Sequence, residues 1–314
     1  MKIEILGAES LGVRGLACWV EAGDQRVLID PGVALGLVRH GQQPHPVQVA
    51  VAESVRADLV GRFTRATDLV FSHFHGDHVP LAHPNPYQLG LDRLPPEAAR
   101  LPAWRIGDEG LSDTSLHRCR SLTKFFGERL QVGEGRTVGS LAFSRSVPHG
   151  EPDSPLGRVM MTRVRDDRTV FVHASDIQLL HAPTIDRILA WQPDIVLAAG
   201  PPLYLDVLDD RDRQAAWDNA LRLALGVETV ILDHHLLRDE SGLDWIEALA
   251  QASGNRVTCA AQFMGHRPWL LEARRRELYQ RMPVPEDWHE RYARGEEDAS
   301  AWLEQAEWRG WLEG

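Results

Sequence analysis

The sequence predicts an α/β (α+β) fold in which two mixed β-sheets pack face to face and helices cover the outside. One observation behind this prediction is the order of elements, because a run of strands opens the chain and later strands alternate with helices. A second observation is that histidine or aspartate residues follow several of the predicted strands. Since strand ends converge on one edge of such a sandwich, we expect these side chains to meet there.

Three short strands are predicted at the start of the chain, at Lys2–Leu6, Ala17–Glu21 and Arg26–Ile29. The third strand ends at Asp30, a carboxylate followed by proline and glycine. Two interpretations of Asp30 stay open: it caps the loop, or it accepts a hydrogen bond that orients a metal-ligating histidine. A helix is predicted next, over Val49–Thr64.

The next strand, Asp68–Ser72, leads directly into four potential metal ligands: His73, His75, Asp77 and His78. Because side chains alternate along an extended segment, His73 and His75 leave on the same side and can hold one ion. The turn at Gly76 directs the last two ligands toward a second ion nearby. Burial of such a cluster without a cation would leave several polar groups unpaired. The segment therefore predicts a metal site.

The segment from about residue 83 to residue 130 is predicted to be an insertion without clear periodicity, irregular as far as Leu130. It lies between two metal-binding motifs in the sequence. Two interpretations stay open: a lid or substrate wall, and a partly helical structural insertion.

Three later predicted strands also lead into histidine or aspartate residues. Thr137–Val147 is followed by His149, the hairpin Gly157–Arg165 and Arg168–His173 by Asp176, and Glu228–Leu232 by His234 and His235. Further strands are predicted at Pro193–Ala198 and Arg256–Ala261, and helices at Ile185–Trp191, Asp212–Leu225 and Leu243–Ala252. His173 lies within a strand, so we expect it to face the core or a helix and leave it out of the site.

The last fifty residues are charged and are predicted to form a helical extension, 266–314, packed on a main domain of residues 1–265. Tryptophans recur in this extension, at Trp269, Trp288, Trp302, Trp308 and Trp311. The first interpretation is that they anchor the extension by packing onto the domain. The second is that an exposed subset marks a subunit interface of a homo-oligomer.

The composition is that of a soluble globular protein, with 43% hydrophobic and 25% charged residues in 314. Three widely spaced cysteines argue against a disulfide framework and favour a reducing, cytoplasmic setting. No apolar run is long enough to predict a membrane span. The net charge of −11 argues against an extended nucleic-acid-binding surface but permits a small-molecule or nucleotide-type substrate.

The series His-x-His-x-Asp-His, followed by a histidine, an aspartate and a histidine after later strands, resembles the metallo-β-lactamase superfamily. The resemblance covers roughly residues 1–265. Within the superfamily, Ser-His-Phe-His-Gly-Asp-His and Leu-Asp-His-His-Leu-Leu-Arg-Asp are similar to segments of a largely archaeal group of predicted hydrolases.

This resemblance implies an αββα sandwich that holds two divalent metal ions, with zinc as the first choice and manganese or iron as the alternatives. It implies that His73, His75 and His149 bind the first ion, that Asp77, His78 and His234 bind the second, and that Asp176 bridges them. His235 is the rival of His234 as the last ligand. We prefer His234 because it comes first after the strand.

The same resemblance implies a dinuclear hydrolase in which a metal-bound hydroxide attacks the substrate and Asp77 orients that nucleophile. A phosphodiester substrate is favoured over a lactone or a thioester, because Arg238 and His235 follow the last ligand. Asp176 stands where several β-lactamases have a cysteine, which argues against β-lactam hydrolysis. The alternatives are a mononuclear iron oxidoreductase and a catalytically silent metal-binding protein, which the complete ligand set disfavours.

Overall fold

The computed structural model describes residues 1–308, with the side chains of residues 307 and 308 left out. The first sheet has six strands in chain order. They are β1 (Lys2–Gly7), β2 (Ala17–Ala22), β3 (Gln25–Ile29), β4 (Asp68–Phe71), β5 (Ala103–Arg105) and β6 (Leu130–Val132). The first three strands pair antiparallel, and β3 to β6 run parallel.

The second sheet has seven strands in the order β15-β14-β13-β12-β11-β8-β7. Strands β9 and β10 form a separate two-stranded sheet. The strands are β7 (Thr137–Val138), β8 (Leu141–Phe143), β9 (Val147–Pro148), β10 (Arg158–Val159), β11 (Thr162–Arg165), β12 (Val170–Ser175), β13 (Ile195–Ala198), β14 (Thr229–Leu232) and β15 (Arg256–Thr258). The four strands from β12 to β15 pair in parallel.

Nine α-helices lie within residues 1–308. They are α1 (Pro46–Phe63), α2 (Asp113–Phe126), α3 (Ala182–Ala190), α4 (Asp210–Gly226), α5 (Ser241–Ser253), α6 (Ala260–Phe263), α7 (Arg275–Arg281), α8 (Trp288–Ala293) and α9 (Ser300–Trp308). Among the described residues, no helix is both long enough and apolar enough to span a bilayer.

Side chains along the strands of the second sheet alternate between its two faces, so the sheet contributes to two separate cores. Leu197 and Ile231 point into a core that they share with the first sheet. Their neighbours Val196 and Val230 point the other way, into a core formed with α3, α4 and α5. α1 and α2 pack against the first sheet. The predicted sandwich of two mixed sheets flanked by helices is therefore confirmed.

Two predictions on local structure are wrong in the middle of the chain. The segment up to Leu130 is not irregular throughout, because α2 begins after Ser112, whose hydroxyl accepts a hydrogen bond from the amide of Ser115. The buried face of α2 recurs at helical spacing, at Ser115, Cys119, Leu122 and Phe126. The predicted strand Thr137–Val147 is three short strands, because the chain turns at Gly139 with φ of +58°.

The predicted last strand is also too long. It ends at Thr258, and the short helix α6 begins at Ala260. The buried carboxylate of Asp233 accepts the amide hydrogen of Ala260, so the chain is held in a turn there.

The C-terminal segment packs against α1 through α9, and its aromatic rings form a cluster. Trp288 is buried and stacks on Tyr292 at 5.1 Å between ring centroids, and Trp302 meets Trp288 edge-on at 6.4 Å. Trp269 is partly buried against the same core. The side chain of Trp308 and the whole of Trp311 lie outside the described residues. The division into residues 1–265 and 266–314 stays a prediction.

Candidate metal centre

The loop after β4 brings His73 and His75 to the place where His149 follows β9. His73, His75, His149 and Asp176 each offer one ligand atom, and these four atoms lie within 4.8 Å of one another. Three of the four residues are buried, and His75 is half-buried at the edge of the group. We call these residues the first ligand group.

Asp77, His78 and His234 form a second ligand group by the same 4.8 Å measure. Asp176 lies between the two groups. Its Oδ2 is 3.5 Å from Nε2 of His73 and 3.3 Å from Nε2 of His149, while its Oδ1 is 3.1 Å from Nε2 of His78. Oδ2 also lies 3.6 Å from Nε2 of His234, so this one carboxylate contacts both ligand groups, as a bridging ligand must.

The atoms that converge on this space are buried and lack hydrogen-bond partners among the described residues. They are Nε2 of His73, His78 and His149 and both carboxylate oxygens of Asp176. Leaving each such atom unsatisfied costs on the order of 1–3 kcal/mol. Imidazole nitrogens and carboxylate oxygens are ligands of Zn²⁺ and of the neighbouring transition metals. The residues present therefore fit a pair of cations.

Asp30 holds the far side of two of these histidine rings. Its Oδ2 is 3.1 Å from Nδ1 of His78 and 2.5 Å from the hydroxyl oxygen of Ser72, which lies 2.9 Å from Nδ1 of His73. Its Oδ1 accepts the amide hydrogen of Ser72 at 2.7 Å. A carboxylate in this position fixes the tautomer of a metal-ligating histidine. Of the two interpretations of Asp30, this geometry matches the orienting acceptor.

Two glycines allow neighbouring loops to pack directly on the ligand loop. Gly15 has φ of +129°, and a Cβ atom there would lie 2.6 Å from the carbonyl oxygen of Asp77. A Cβ atom on Gly32 would overlap the backbone of His78 and Val79. This close approach lets the residue two positions earlier, Asp30, reach His78.

Both histidines after β14 reach the centre. Nε2 of His234 is 3.3 Å from Oδ2 of Asp77, and Nε2 of His235 is 3.4 Å from Oδ2 of Asp176. Together with Asp176 they form a further group of potential ligands. His234 lies in the left-handed region with φ of +27°. The neighbouring Asp233 carboxylate accepts its amide hydrogen at 2.8 Å and so stabilises the turn.

The protonation states suit cation binding. Burial lowers the pKa of His75 to about 2 and that of His234 to about 4, so both rings are neutral at pH 7. Burial opposes ionisation of Asp176, but His78 and His234 hold the pKa of its carboxyl well below the ordinary value. His78 differs, because against the effect of burial the Asp176 carboxylate raises its pKa. An incoming ion would displace the proton of His78.

Arg238, the predicted substrate contact, points inward. Its side chain is 13% exposed, and its Nε donates to Oε1 of Glu9 at 3.0 Å. Its Nη2 lies 2.9 Å from Nε2 of His234 and 3.7 Å from Oδ2 of Asp77. The guanidinium thus contacts the second ligand group itself.

Sequence reasoning missed Glu9, a buried carboxylate in the glycine-rich loop after β1. Its Oε1 lies 3.7 Å from Nδ1 of His234. Burial together with the nearby Glu272 carboxylate raises the pKa of Glu9, against the effect of Arg238 and Arg14. The available signal was weak: one acidic residue in a loop that otherwise lacks charge up to Arg14.

His173, which we left out of the site, lies inside the sandwich. Its Nε2 is 2.9 Å from the carbonyl oxygen of Leu16. That contact between β12 and the loop before β2 joins the two sheets.

A narrow cleft opens beside the first ligand group. His73 and His75 form its floor, and Gly110, Ser112, Ser115 and Arg158 are among its walls. Part of the predicted insertion, at the start of α2, therefore forms a wall of the cleft. The insertion is also partly helical, with α2 at Asp113–Phe126, and both interpretations of it stay predictions.

The two-sheet sandwich, with histidines and aspartates from successive strand ends gathered at one edge, defines a protein of the metallo-β-lactamase fold. The chain belongs to the UPF0282 protein family. It is 46% identical over 303 residues to the UPF0282 protein of Methanosarcina mazei, covering 96% of this chain and all of that protein. It is 34% identical to the relative from Methanopyrus kandleri, over 88% of this chain and 99% of that protein, and 32% identical to the one from Thermococcus gammatolerans, over 90% and 96%. No family model matches the chain.

Solved structures that resemble the chain are more distant. A metal-dependent hydrolase of the β-lactamase superfamily covers 82% of this chain and 94% of its own, with 16% identity and a TM-score of 0.46. A mutant of the CmlA β-hydroxylase covers 79% and 51%, with 13% identity and a TM-score of 0.45. These similarities are too weak to bear on the activity of this chain.

Proposed function

We propose that the chain is a hydrolase with a dinuclear metal centre. The first ligand group would hold one ion, Asp77, His78 and His234 would hold the other, and Asp176 would bridge them. The observation that carries the proposal is the placement of Asp176, whose carboxylate lies 3.1–3.6 Å from both sets of buried histidine nitrogens. A single ion would leave one of these sets unsatisfied.

Two bound divalent ions would lower the pKa of a shared water and neutralise negative charge that develops on the substrate. Zinc is our first choice, and manganese and iron are the alternatives. Among the proposed ligands, Asp77 is a carboxylate at the open edge, with its side chain 16% exposed. It can accept a hydrogen bond from the attacking water and so orient it. Asp30 keeps the ring nitrogens of His73 and His78 directed at the centre.

A phosphodiester is the favoured substrate class, and a lactone or a thioester is the alternative. Arg158 lines the cleft, and Arg118 on α2 donates to the carbonyl oxygen of Phe74 close to Asp77. The N-terminus of α2 lies on the same wall and adds partial positive charge. These groups, and not the inward-facing Arg238, support binding of an anionic ester.

The three cysteines, Cys18, Cys119 and Cys259, are free and buried, which supports a cytoplasmic location.

The test combines metal analysis of purified protein with a panel of generic phosphodiester, lactone and thioester substrates. We expect two ions per chain and turnover of the phosphodiester. Asp77→Asn is expected to reduce kcat about 100-fold or more, because a neutral amide is a weaker hydrogen-bond acceptor for the water and a poorer metal ligand than the carboxylate. Asp166→Asn, on a surface turn far from the centre, is the matched control and should leave turnover unchanged. A protein that binds no metal, or that turns over no substrate of the panel, contradicts the proposal.

A mononuclear iron oxidoreductase is the second candidate. The contact between Arg238 and Nε2 of His234 favours it, because a guanidinium there supplies positive charge where the second ion would lie. One iron per chain together with oxygen consumption would identify this function. Two ions per chain and no oxygen consumption would exclude it.

A further inference from the structure

The side chain of Arg238 and a second metal ion would contact the same ligand atoms, Nε2 of His234 and Oδ2 of Asp77. Its Nη2 is 2.9 Å from Nε2 of His234 and 3.7 Å from Oδ2 of Asp77, two of the three proposed ligands of that ion. An aromatic ring nitrogen has one lone pair, in the plane of the ring. It either accepts a hydrogen from the guanidinium or binds an ion at about 2.0–2.1 Å. The two contacts exclude each other.

The ring of His234 has a hydrogen-bond donor beside each of its two nitrogens. The amide of Gly15 points at Nδ1 from 3.2 Å, while Arg238 points at Nε2. A neutral imidazole carries a hydrogen on one nitrogen and can accept only at the other. Donors therefore face both nitrogens, and one of the two contacts is unfavourable in every tautomer.

An ion on Nε2 would replace the contact with Arg238, while the Gly15 amide would still face Nδ1. The hydrogen would then lie on Nδ1, and the Glu9 carboxylate is 3.7 Å away, positioned to accept it after a small shift. Metal-ligating histidines commonly donate their other ring N–H to a carboxylate. Glu9 at present accepts the Nε hydrogen of Arg238 at 3.0 Å. Glu9 can thus accept a hydrogen bond either from Arg238 or from Nδ1 of His234, so these side chains have two possible arrangements.

We propose that Arg238 competes with the second metal ion for His234, so that this half of the centre fills only when the guanidinium moves away. This inference rests on the proposed dinuclear function. In the first ligand group, Nε2 of His73 and of His149 and both oxygens of Asp176 have no hydrogen-bond partner among the described residues, so no such competitor lies there. The two halves should therefore differ in affinity, with the first ion bound more tightly than the second.

The test is a titration of metal-free protein with Zn²⁺, with bound metal measured by equilibrium dialysis and mass spectrometry. We expect two binding steps in the unmodified chain. Arg238→Met keeps the length of the side chain but removes the competing donor and its charge. It should tighten the second step by about tenfold, the change that 1.4 kcal/mol produces. The first step should not move.

Arg39→Met is the matched control. Arg39 donates to the backbone carbonyl oxygen of Arg238 at 2.8 Å, so the variant removes one nearby positive charge and leaves the contact with His234 in place. We expect its second step to be unchanged. If Arg39→Met tightens this step as much as Arg238→Met, general electrostatics is the cause and the inference is wrong. A second step that is unchanged or weaker in Arg238→Met also overturns it.

Arg238→Lys serves if the methionine variant does not fold. Lysine keeps the charge but cannot reach Glu9 and His234 in the same geometry, so the second step should tighten less than in Arg238→Met yet measurably. No tightening in Arg238→Lys would contradict the inference. Two ions with equal affinities in every variant would overturn the inference while the proposed function stands. Absence of any metal binding would defeat both.

Discussion

Asp30 shows at the scale of single residues how the proposed metal ligands depend on a carboxylate behind them. It lies after β3, and it reaches His78 directly and His73 through the Ser72 hydroxyl. The Ser175 hydroxyl lies 2.6 Å from that of Ser72 and donates to Oδ2 of Asp30 at 3.2 Å, so it belongs to the same network. Because every member is buried, the network restricts the orientation of both rings.

Asp30→Ala should therefore weaken metal binding while the proposed ligands remain. We expect a loss of about 10–100-fold in affinity, the usual effect of removing a carboxylate behind a ligating histidine. Competition with a chromophoric chelator would measure it. Asp194→Ala removes a carboxylate that accepts from the amide of Val170 at the other end of β12 and controls for general destabilisation. Equal affinities of Asp30→Ala and the unmodified chain would contradict this role.

At the scale of elements, the start of α1 joins the sandwich to the C-terminal helices through His45. Its Nδ1 accepts the amide hydrogen of Val47 at 3.2 Å, and its Nε2 donates to the carbonyl oxygen of Met282 at 2.9 Å. The ring is buried edge-on against Tyr279 and Trp302. Both nitrogens are used by a neutral ring, so protonation would break the contact with Val47.

This arrangement predicts a loss of stability in acid. Burial lowers the pKa of His45 to about 4, against 6.5 in the unfolded chain, so the unfolded chain binds more protons between these values. The contribution of His45 is therefore complete above pH 6.5 and falls by about 1.4 kcal/mol per pH unit as the pH decreases toward 4. His45→Asn keeps a capping side chain but does not titrate.

Urea unfolding of metal-free protein at pH 6.5 and pH 5 tests this prediction. The stability difference between the unmodified chain and His45→Asn should be about 1.5 kcal/mol smaller at the lower pH, because the unfolded histidine is already half protonated at pH 6.5. The same difference at both pH values for His45→Asn would show that the ring is not buried in its neutral form.

The elements differ in how well the sequence predicts them. The buried strand β4 and the helices α4 and α5 have clear apolar patterns, and they lie close to their predicted bounds. α2 was missed because its four buried positions are separated by charged and polar residues, although Ser112 is a recognisable cap. The prediction of one strand at Thr137–Val147 was wrong because the alternation of apolar and polar residues continues across the turn at Gly139. Only the positive φ of Gly139 in the structure shows that the strand is interrupted there.

At the scale of the whole molecule, the sandwich and its ligand-bearing edge follow from local patterns, since each strand end is readable in a few residues. Glu9 and Arg238 do not follow, because 229 positions separate them and no local pattern pairs them. The same holds for Arg14 and Glu272, whose ion pair links the loop after β1 to the C-terminal segment. Long-range pairs of buried charges arise only when both loops pack on the same edge.

The central claim is that two cations share Asp176, and anomalous diffraction from crystals grown with excess Mn²⁺ or Zn²⁺ tests it most directly. The account predicts two peaks about 3.5–4 Å apart. One should lie against His73, His75 and His149, the other against Asp77, His78 and His234, with the Asp176 carboxylate between them. A single peak, or metal bound elsewhere while Asp176 contacts no second ion, would contradict the account.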